Sequence, residues 1–295
     1  MGDLSKAVGF ELASLPVGWN QRDLLLYAAT IGTRADELNL NYELHPKWAP
    51  FPTYPLVLGL KGDSQTITDF AKMVSHGGDI PLPPFDRTRV VHAEQTIQVL
   101  KPIPANSGPG WKITKRVTGI KDTGKGIIME QENCLVSPSG EIHTRMFGSS
   151  FYVGATHQKG FSKFIVQKPE GANPPSRAPD MVHADHLSQS LAVDPKLGKS
   201  MGFGGVILHG LCFYGFAAHA VLAHFGNSDP SRFVSMAARF ASPVVPGQTV
   251  ETLAWKESRA DGDYITFIQR IKETGKVNLS NGLIVLKPAS AGARL

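Results

Sequence analysis

Apolar and polar positions alternate with a period of two over four segments of the first half, residues 88–99, 111–120, 127–136 and 142–153. That period belongs to strands with one face turned to a core, and Pro, Gly and Ser turns separate the segments. A second series follows at 233–240, 249–258, 264–271 and 277–286. The two series share their punctuation. Lys101-Pro102-Ile103-Pro104 is echoed by Ser242-Pro243-Val244-Val245-Pro246, the turn Gly124-Lys125-Gly126 by Asp261-Gly262-Asp263, and Gly140 and Gly275 each precede a last strand. The pattern therefore predicts one antiparallel plan used twice. Helical spacing appears elsewhere. Asn20 is placed to cap a helix, Asp23 stands three residues on, and Leu24, Tyr27, Ala28 and Ile31 recur on one side. Residues 46–55 are Pro-rich and extended, and 66–74 form a short second helical pattern.

One run departs from both periods. From Gly205 to Ala218 the chain reads Gly-Val-Ile-Leu-His-Gly-Leu-Cys-Phe-Tyr-Gly-Phe-Ala-Ala. It predicts a helix, opening at a His-Gly step, that is apolar on nearly all sides. Such a helix must be wrapped, and the second strand series supplies the wrapping. Between the halves, residues 154–180 are rich in Gly, Lys, Ser and Pro, the composition of a linker. The expected organisation is an N-terminal half over 1–153, a linker over 154–182 and a C-terminal half over 183–295.

Composition narrows the classes. The 295 residues are 42% hydrophobic and 19% charged, with a net charge of +5, which suits one large domain or two fused small ones. No long uncharged apolar stretch reads as a membrane span, and the first residues lack the basic start and apolar core of a secretory signal. Cys134 and Cys212 fall in different halves, consistent with reduced thiols. The mild positive charge suits an anionic ligand, while the lack of basic clusters interleaved with aromatics argues against nucleic acid.

Several residues are candidates for chemistry. A helix start offers unpaired N–H groups and the positive end of a dipole, and Gly210 has no side chain to block a ligand oxygen. The Gly210 N–H could hold the oxygen of a thioester carbonyl; the alternative is a core helix with a glycine in its first turn. His183-Ala184-Asp185-His186 places an acid between imidazoles, where a neutral His could act as base with Asp185 orienting it; the alternative is a solvated polar loop. His209 either shapes the pocket before Gly210 or is a satisfied structural residue. Asp194 reads as a turn before Pro195. No His/Cys/Asp set has metal-ligand spacing, neither Gly-rich stretch carries the phosphate-loop Lys-Ser/Thr pair, and no Ser nucleophile elbow is present.

The chain resembles the type-2 enoyl-CoA hydratases, which belong with the MaoC-like dehydratases. The likeness rests on 207–216, on Arg239-Phe240-Ala241-Ser242-Pro243-Val244-Val245-Pro246-Gly247-Gln248, on Trp255-Lys256-Glu257 and on Leu279-Ser280-Asn281-Gly282. In the first half it rests on 19–28, Glu43-Leu44-His45-Pro46, Pro52-Thr53-Tyr54-Pro55 and His92-Ala93-Glu94-Gln95. It covers roughly residues 10–288. The resemblance implies an α+β double hot-dog fold, two antiparallel sheets each wrapping a helix, with the helix of the first half degenerate and acyl space opened there. It implies interconversion of (3R)-hydroxyacyl-CoA and trans-2-enoyl-CoA with no metal or redox cofactor, and an acyl-CoA substrate. It is compatible with a homodimer. His92 and Glu94, two apart on a strand, would line the acyl cavity or pair at a core edge.

The family's motif reads approximately S-G-D-x-N-P-L-H-x-D-P, and its Asp and His activate one water while a Gly N–H holds the thioester oxygen. Gly210 matches that Gly. The Asp position holds Leu187, the Asn position Gln189 and the His position Ala192; only Val193-Asp194-Pro195 matches the motif's end. Alternatively, 186–191 matches the segment preceding the motif, with the motif itself shortened. Either way the acid–base pair is missing from its family positions. The expected function is a peroxisomal hydratase or dehydratase of acyl thioesters, in a specialised or secondary pathway. The alternatives are a lyase or cyclase repurposed for a polyketide, and a non-catalytic acyl-CoA-binding homologue. Ala293-Arg294-Leu295 resembles the S-K-L class of peroxisomal address, which implies an import receptor as partner.

Overall fold

The computed structural model describes residues 3–64, 80–83, 89–187, 199 and 205–288. The helix expected over 66–74, the motif positions Gln189, Ala192 and Asp194, and the terminal Ala293-Arg294-Leu295 lie outside the described residues. The chain divides into two compact units, one of residues 1–19, 55–101 and 106–168, the other of residues 20–54, 102–105 and 169–295.

In the first unit the short helix α1 (Leu4–Ala7), capped by Asp3, leads into strand β1 (Glu11–Pro16). Strands β2 (Val90–Val99), β3 (Lys112–Asp122), β4 (Gly126–Val136) and β5 (Ile142–Val153) follow, in the spatial order β1-β3-β4-β5-β2, all antiparallel. Strand β6 (Ser162–Phe164) pairs with β3 and lays the Phe164 ring over Gly119. Leu4, Ala7, Val117, Ile120, Ile127 and Met129 form a core cluster of this unit.

The second unit carries β7 (Met181–His186), β8 (Phe233–Phe240), β9 (Thr249–Arg259), β10 (Gly262–Ile271) and β11 (Val277–Leu286). Their order, β7-β9-β10-β11-β8, repeats that of the first unit strand for strand. The turn glycines repeat as well: Gly140 and Gly275 have φ of +86° and +68°, a conformation that side chains resist. The eight patterned strands thus fall where the alternation placed them, to within a few residues. Strands β1, β6 and β7 did not announce themselves. They are short, and β1 and β6 are mostly exposed, so burial imprints little alternation on them.

Within the second unit the apolar run forms helix α5 (Gly210–Gly226), with twelve of its 17 residues buried. It packs against β7, β8, β9 and β11. Tyr214 Oη donates to the Met236 carbonyl at 2.9 Å, fixing the helix to β8. The opposite flank is covered by residues from the other end of the chain. Helix α2 (Gln21–Thr30) starts with the expected cap, Asn20 and Asp23 each accepting the other's backbone N–H. It crosses α5 so closely that a Cβ on Gly215 would lie 2.6 Å from Ile31 and 3.3 Å from the Tyr27 hydroxyl. This is why 20–54 cluster with the second unit rather than with the half expected from chain order. Helix α3 (Leu38–Asn41) follows in the same segment, while α4 (Pro55–Lys61) returns to the first unit. The stretch read as a linker is partly built into the units, contributing β6 and the start of β7.

A buried ionic knot ties 20–54 to α5. Glu37 accepts from His219 Nε2 at 2.8 Å, from the Arg34 N–H at 2.6 Å and from the Ser228 hydroxyl. Glu37 and His219 are 3% and 1% exposed. Burial alone would raise the Glu37 pKa, but these donors outweigh it and hold the carboxyl at about 2, from 4.5. A depressed pKa stabilises the fold above the unfolded value of about 4.5 and loses that contribution as pH falls toward 2. Replacing Glu37 by Gln should therefore lower the melting temperature at neutral pH. Thermal unfolding of both proteins from pH 7 downward should show the gap closing as pH drops below about 4.5.

Candidate active site

The head of α5 is built by its own sequence. His209 is the N-cap, its Nδ1 accepting the Leu211 N–H at 3.2 Å and its carbonyl the Cys212 N–H at 2.9 Å. Burial holds the His209 pKa down, so the ring is neutral, with Nε2 carrying the proton. His209, expected to shape a pocket, thus has a cap to make. The Gly210 N–H is left over. It has no partner among the described residues, and the glycine is partly exposed. The Phe240 ring lies against its Cα, where a Cβ would come within 2.8 Å. The helix tip offers one free donor in a narrow apolar setting, which suits an oxygen that gains negative charge.

The segment 181–186, for which a solvated loop was the alternative, is strand β7, paired with β9 from Met181–Ala254 to His186–Thr249. Its strand geometry separates the acid–base candidates. His183 and Asp185 face one side, and Val182, Ala184 and His186 face out to solvent. His186 meets Thr249 Oγ1, at 3.3 Å, and not Asp185. The residue that meets Asp185 is His183, with Nε2 at 3.2 Å from Oδ1. The sequence reading grouped Asp185 with His186 because they are adjacent. Period-two geometry had the information to choose His183, once the segment is recognised as a strand.

Asp185 Oδ2 is buried and has no partner among the described residues. Gly32, at φ +90°, closes over the other oxygen; a Cβ there would be 3.5 Å from Oδ1 and 2.8 Å from the Phe216 ring of α5. The Asp185 hydrogen bond raises the His183 pKa against the opposing effect of burial; the charges of Asp185 and Glu37 add to the rise and that of Arg34 subtracts. Leu187, which one of the two sequence alignments sets at the family's Asp position, is buried, and its backbone bonds to Gly247 and Gln248.

In the first unit a register shift interrupts β2 between His92 and Glu94, so the simple alternation expected of them does not hold. Glu94 is ion-paired with Lys168 at 3.1 Å, and Lys168 also meets Glu130 at 2.5 Å. Burial opposes the Lys168 charge, and the two carboxylates raise its pKa regardless. No group of three or more His, Cys, Asp or Glu is placed to hold a metal ion among the described residues. None of the described helices is long and apolar enough to cross a membrane.

Two family models match the chain, the MaoC like domain over residues 181–277 and the MFE-2 hydratase 2 N-terminal domain over residues 18–154. A probable dehydratase NIT22 from Ajellomyces capsulatus is 35% identical, covering 97% of this chain and 83% of its own. A probable enoyl-CoA hydratase 2 from Dictyostelium discoideum is 31% identical over 99% of both. The peroxisomal multifunctional enzyme type 2 of Mus musculus is 32% identical over 96% of this chain, which spans 38% of that enzyme. The crystal structure of a MaoC-like dehydratase from Phytophthora capsici superposes with a TM-score of 0.85 at 32% identity, over 99% of this chain and 100% of that one. With one antiparallel strand order repeated in the two units, the fold is the double hot-dog. The chain belongs to the MaoC-like dehydratases, a family of hydro-lyases, in their hydratase-2 group.

Proposed function

We propose that the protein adds water to trans-2-enoyl-CoA, and removes it from the corresponding (3R)-3-hydroxyacyl-CoA, with the Gly210 N–H holding the thioester oxygen. The unpartnered N–H at the head of α5 carries this reading. Addition of water at C3 drives electrons toward the thioester oxygen. A fixed donor aimed at that oxygen favours the enolate over the ground-state carbonyl. The relatives named hydratase and dehydratase supply the substrate class.

A second reading has one observation in its favour. Leu187 is buried where the family has its Asp, which suits a homologue that binds acyl-CoA without turning it over. Incubation with trans-2-decenoyl-CoA, followed by loss of enoyl absorbance and by product chromatography, decides between the two. Hydration supports an enzyme. Tight binding of decanoyl-CoA without hydration of the enoyl ester supports the carrier reading. In an active protein, Gly210→Ala keeps the N–H but sets a Cβ within 2.8 Å of the Phe240 ring, and by crowding the approach of the thioester oxygen it should lower kcat by about 100-fold, with folding checked by thermal melting.

A peroxisomal location is part of the proposal, supported by relatives that carry that location in their names. The import receptor expected to read Ala293-Arg294-Leu295 is the partner in this reading. A fluorescent protein fused ahead of residue 1 should collect in peroxisomes and become diffuse when those three residues are removed.

A further inference from the structure

Resting on the hydratase reading, we propose that His183 is the acid–base residue of this chain and that Asp185 positions it, a pair on strand β7 that takes over from the family's missing Asp and His. Three observations carry it. His183 and Asp185 turn to the same side of an edge strand and are hydrogen-bonded at 3.2 Å. Asp185 is 11% exposed and His183 32%, so the pair is sheltered yet reachable. Asp185 Oδ2 is a buried acceptor without a donor among the described residues.

A buried carboxylate oxygen without a hydrogen bond costs free energy, and native proteins rarely tolerate one unless a water or ligand completes it. The group that completes this one must donate a proton and be small enough to sit beside Gly32 and Phe216. Water fits, and an ordered water on Oδ2 would complete the carboxylate that orients the ring through Oδ1. The imidazole is set for the chemical task. A carboxylate accepts but cannot donate, so Nε2 carries the proton shared with Oδ1. The lone pair then sits on Nδ1, which has no partner among the described residues.

The step balances with these groups alone. A water at His183 Nδ1 gives that nitrogen one proton while its oxygen forms a bond to C3 and keeps the other proton as the new hydroxyl. The C2=C3 pair shifts to C1–C2 and the C1=O pair moves onto the thioester oxygen, held by the Gly210 N–H. The carbonyl then re-forms, and C2 takes the proton back from His183 Nδ1. One water has been added and the imidazole is neutral again. In the reverse direction His183 removes the C2 proton and returns it to the departing hydroxyl. Asp185 keeps the ring in one tautomer and steadies the transient imidazolium.

The test compares His183→Gln, Asp185→Asn and His186→Gln in the full chain, with thermal melting as the check on folding. His183→Gln should lower kcat by about 100-fold or more, the scale of general acid–base catalysis, and leave decanoyl-CoA affinity unchanged. Asp185→Asn should lower kcat and move the acid limb of the pH profile to lower pH, because the carboxylate that raises the His183 pKa is gone while Arg34 and Glu37 remain. A structural salt bridge would not move that limb. Full activity in His183→Gln, or an equal loss in His186→Gln, overturns the assignment. A second readout is independent of turnover. In imidazole-labelled wild-type protein, decanoyl-CoA should shift the His183 ring resonances, identified by their loss in His183→Gln. Binding that leaves those resonances in place overturns the pair even if the chain hydrates nothing, whereas failure of hydration alone counts against the hydratase reading.

Discussion

The second unit exists to bury α5 on every side. With twelve of 17 residues buried, this helix has no face that can be left to water. A curved sheet covers one flank and cannot cover both. The other flank is taken by the segment 20–54, more than a hundred and fifty residues away in sequence. Close approach is arranged by Gly215, against which Ile31 and Tyr27 rest, and polar closure by Glu37, which meets His219 and Ser228. The same wrapping that hides the helix body leaves its tip as the place where a free amide and a nonpolar wall coincide, which is the combination a thioester oxygen needs.

Legibility in the sequence followed burial. Strands with one face in a core wrote a clear period of two, and the repeated turn glycines exposed the duplication. The α2 cap was legible because Asn20 and Asp23 act locally, within one turn of backbone. What stayed hidden was long-range. Nothing in 20–54 says that it covers a helix near residue 215; its exposed neighbours Leu26, Leu38 and Tyr42 blur the amphipathic signal. Strand β7 was missed because its outward positions include Val182 and Ala184 and its inward ones include His183 and Asp185, the reverse of ordinary hydrophobic patterning. That inversion is itself informative. Polar residues on the sheltered side of a strand run against the folding preference, and such conflicts concentrate where chemistry is done.

The family comparison and the geometry meet at Leu187. Relatives are named hydratases or dehydratases, yet the residue that the gap-free sequence alignment sets in the acid's position is a buried leucine held by Gly247 and Gln248 through its backbone. A single substitution to Asp there would bury a carboxylate in apolar surroundings, so the change is not one that reverses cheaply. A chain that keeps the Gly210 donor while giving up the acid at Leu187 either has stopped turning over its ligand or has found its proton relay elsewhere. The unfilled acceptor on Asp185 favours the second outcome.

Two histidine–carboxylate hydrogen-bonded pairs lie among the described residues of this unit, and their contrast shows which can do chemistry. In His219–Glu37 both partners are sealed, at 1% and 3% exposure, and the carboxylate is saturated by donors from His219, Ser228 and Arg34. No substrate can reach it, and a proton leaving it has nowhere to go; it is a fastener. In His183–Asp185 the exposure is 32% and 11%, the hydrogen bond is longer, and each partner keeps one unclaimed atom, Nδ1 on the ring and Oδ2 on the carboxylate. Both pairs leave a buried polar atom unclaimed, His219 Nδ1 in one and Asp185 Oδ2 in the other, so the difference between them is access: a proton can enter or leave only the pair that solvent reaches. A free ring nitrogen at a sheltered but reachable position is therefore what suits a pair to proton transfer, and of these two pairs the one on β7 has it.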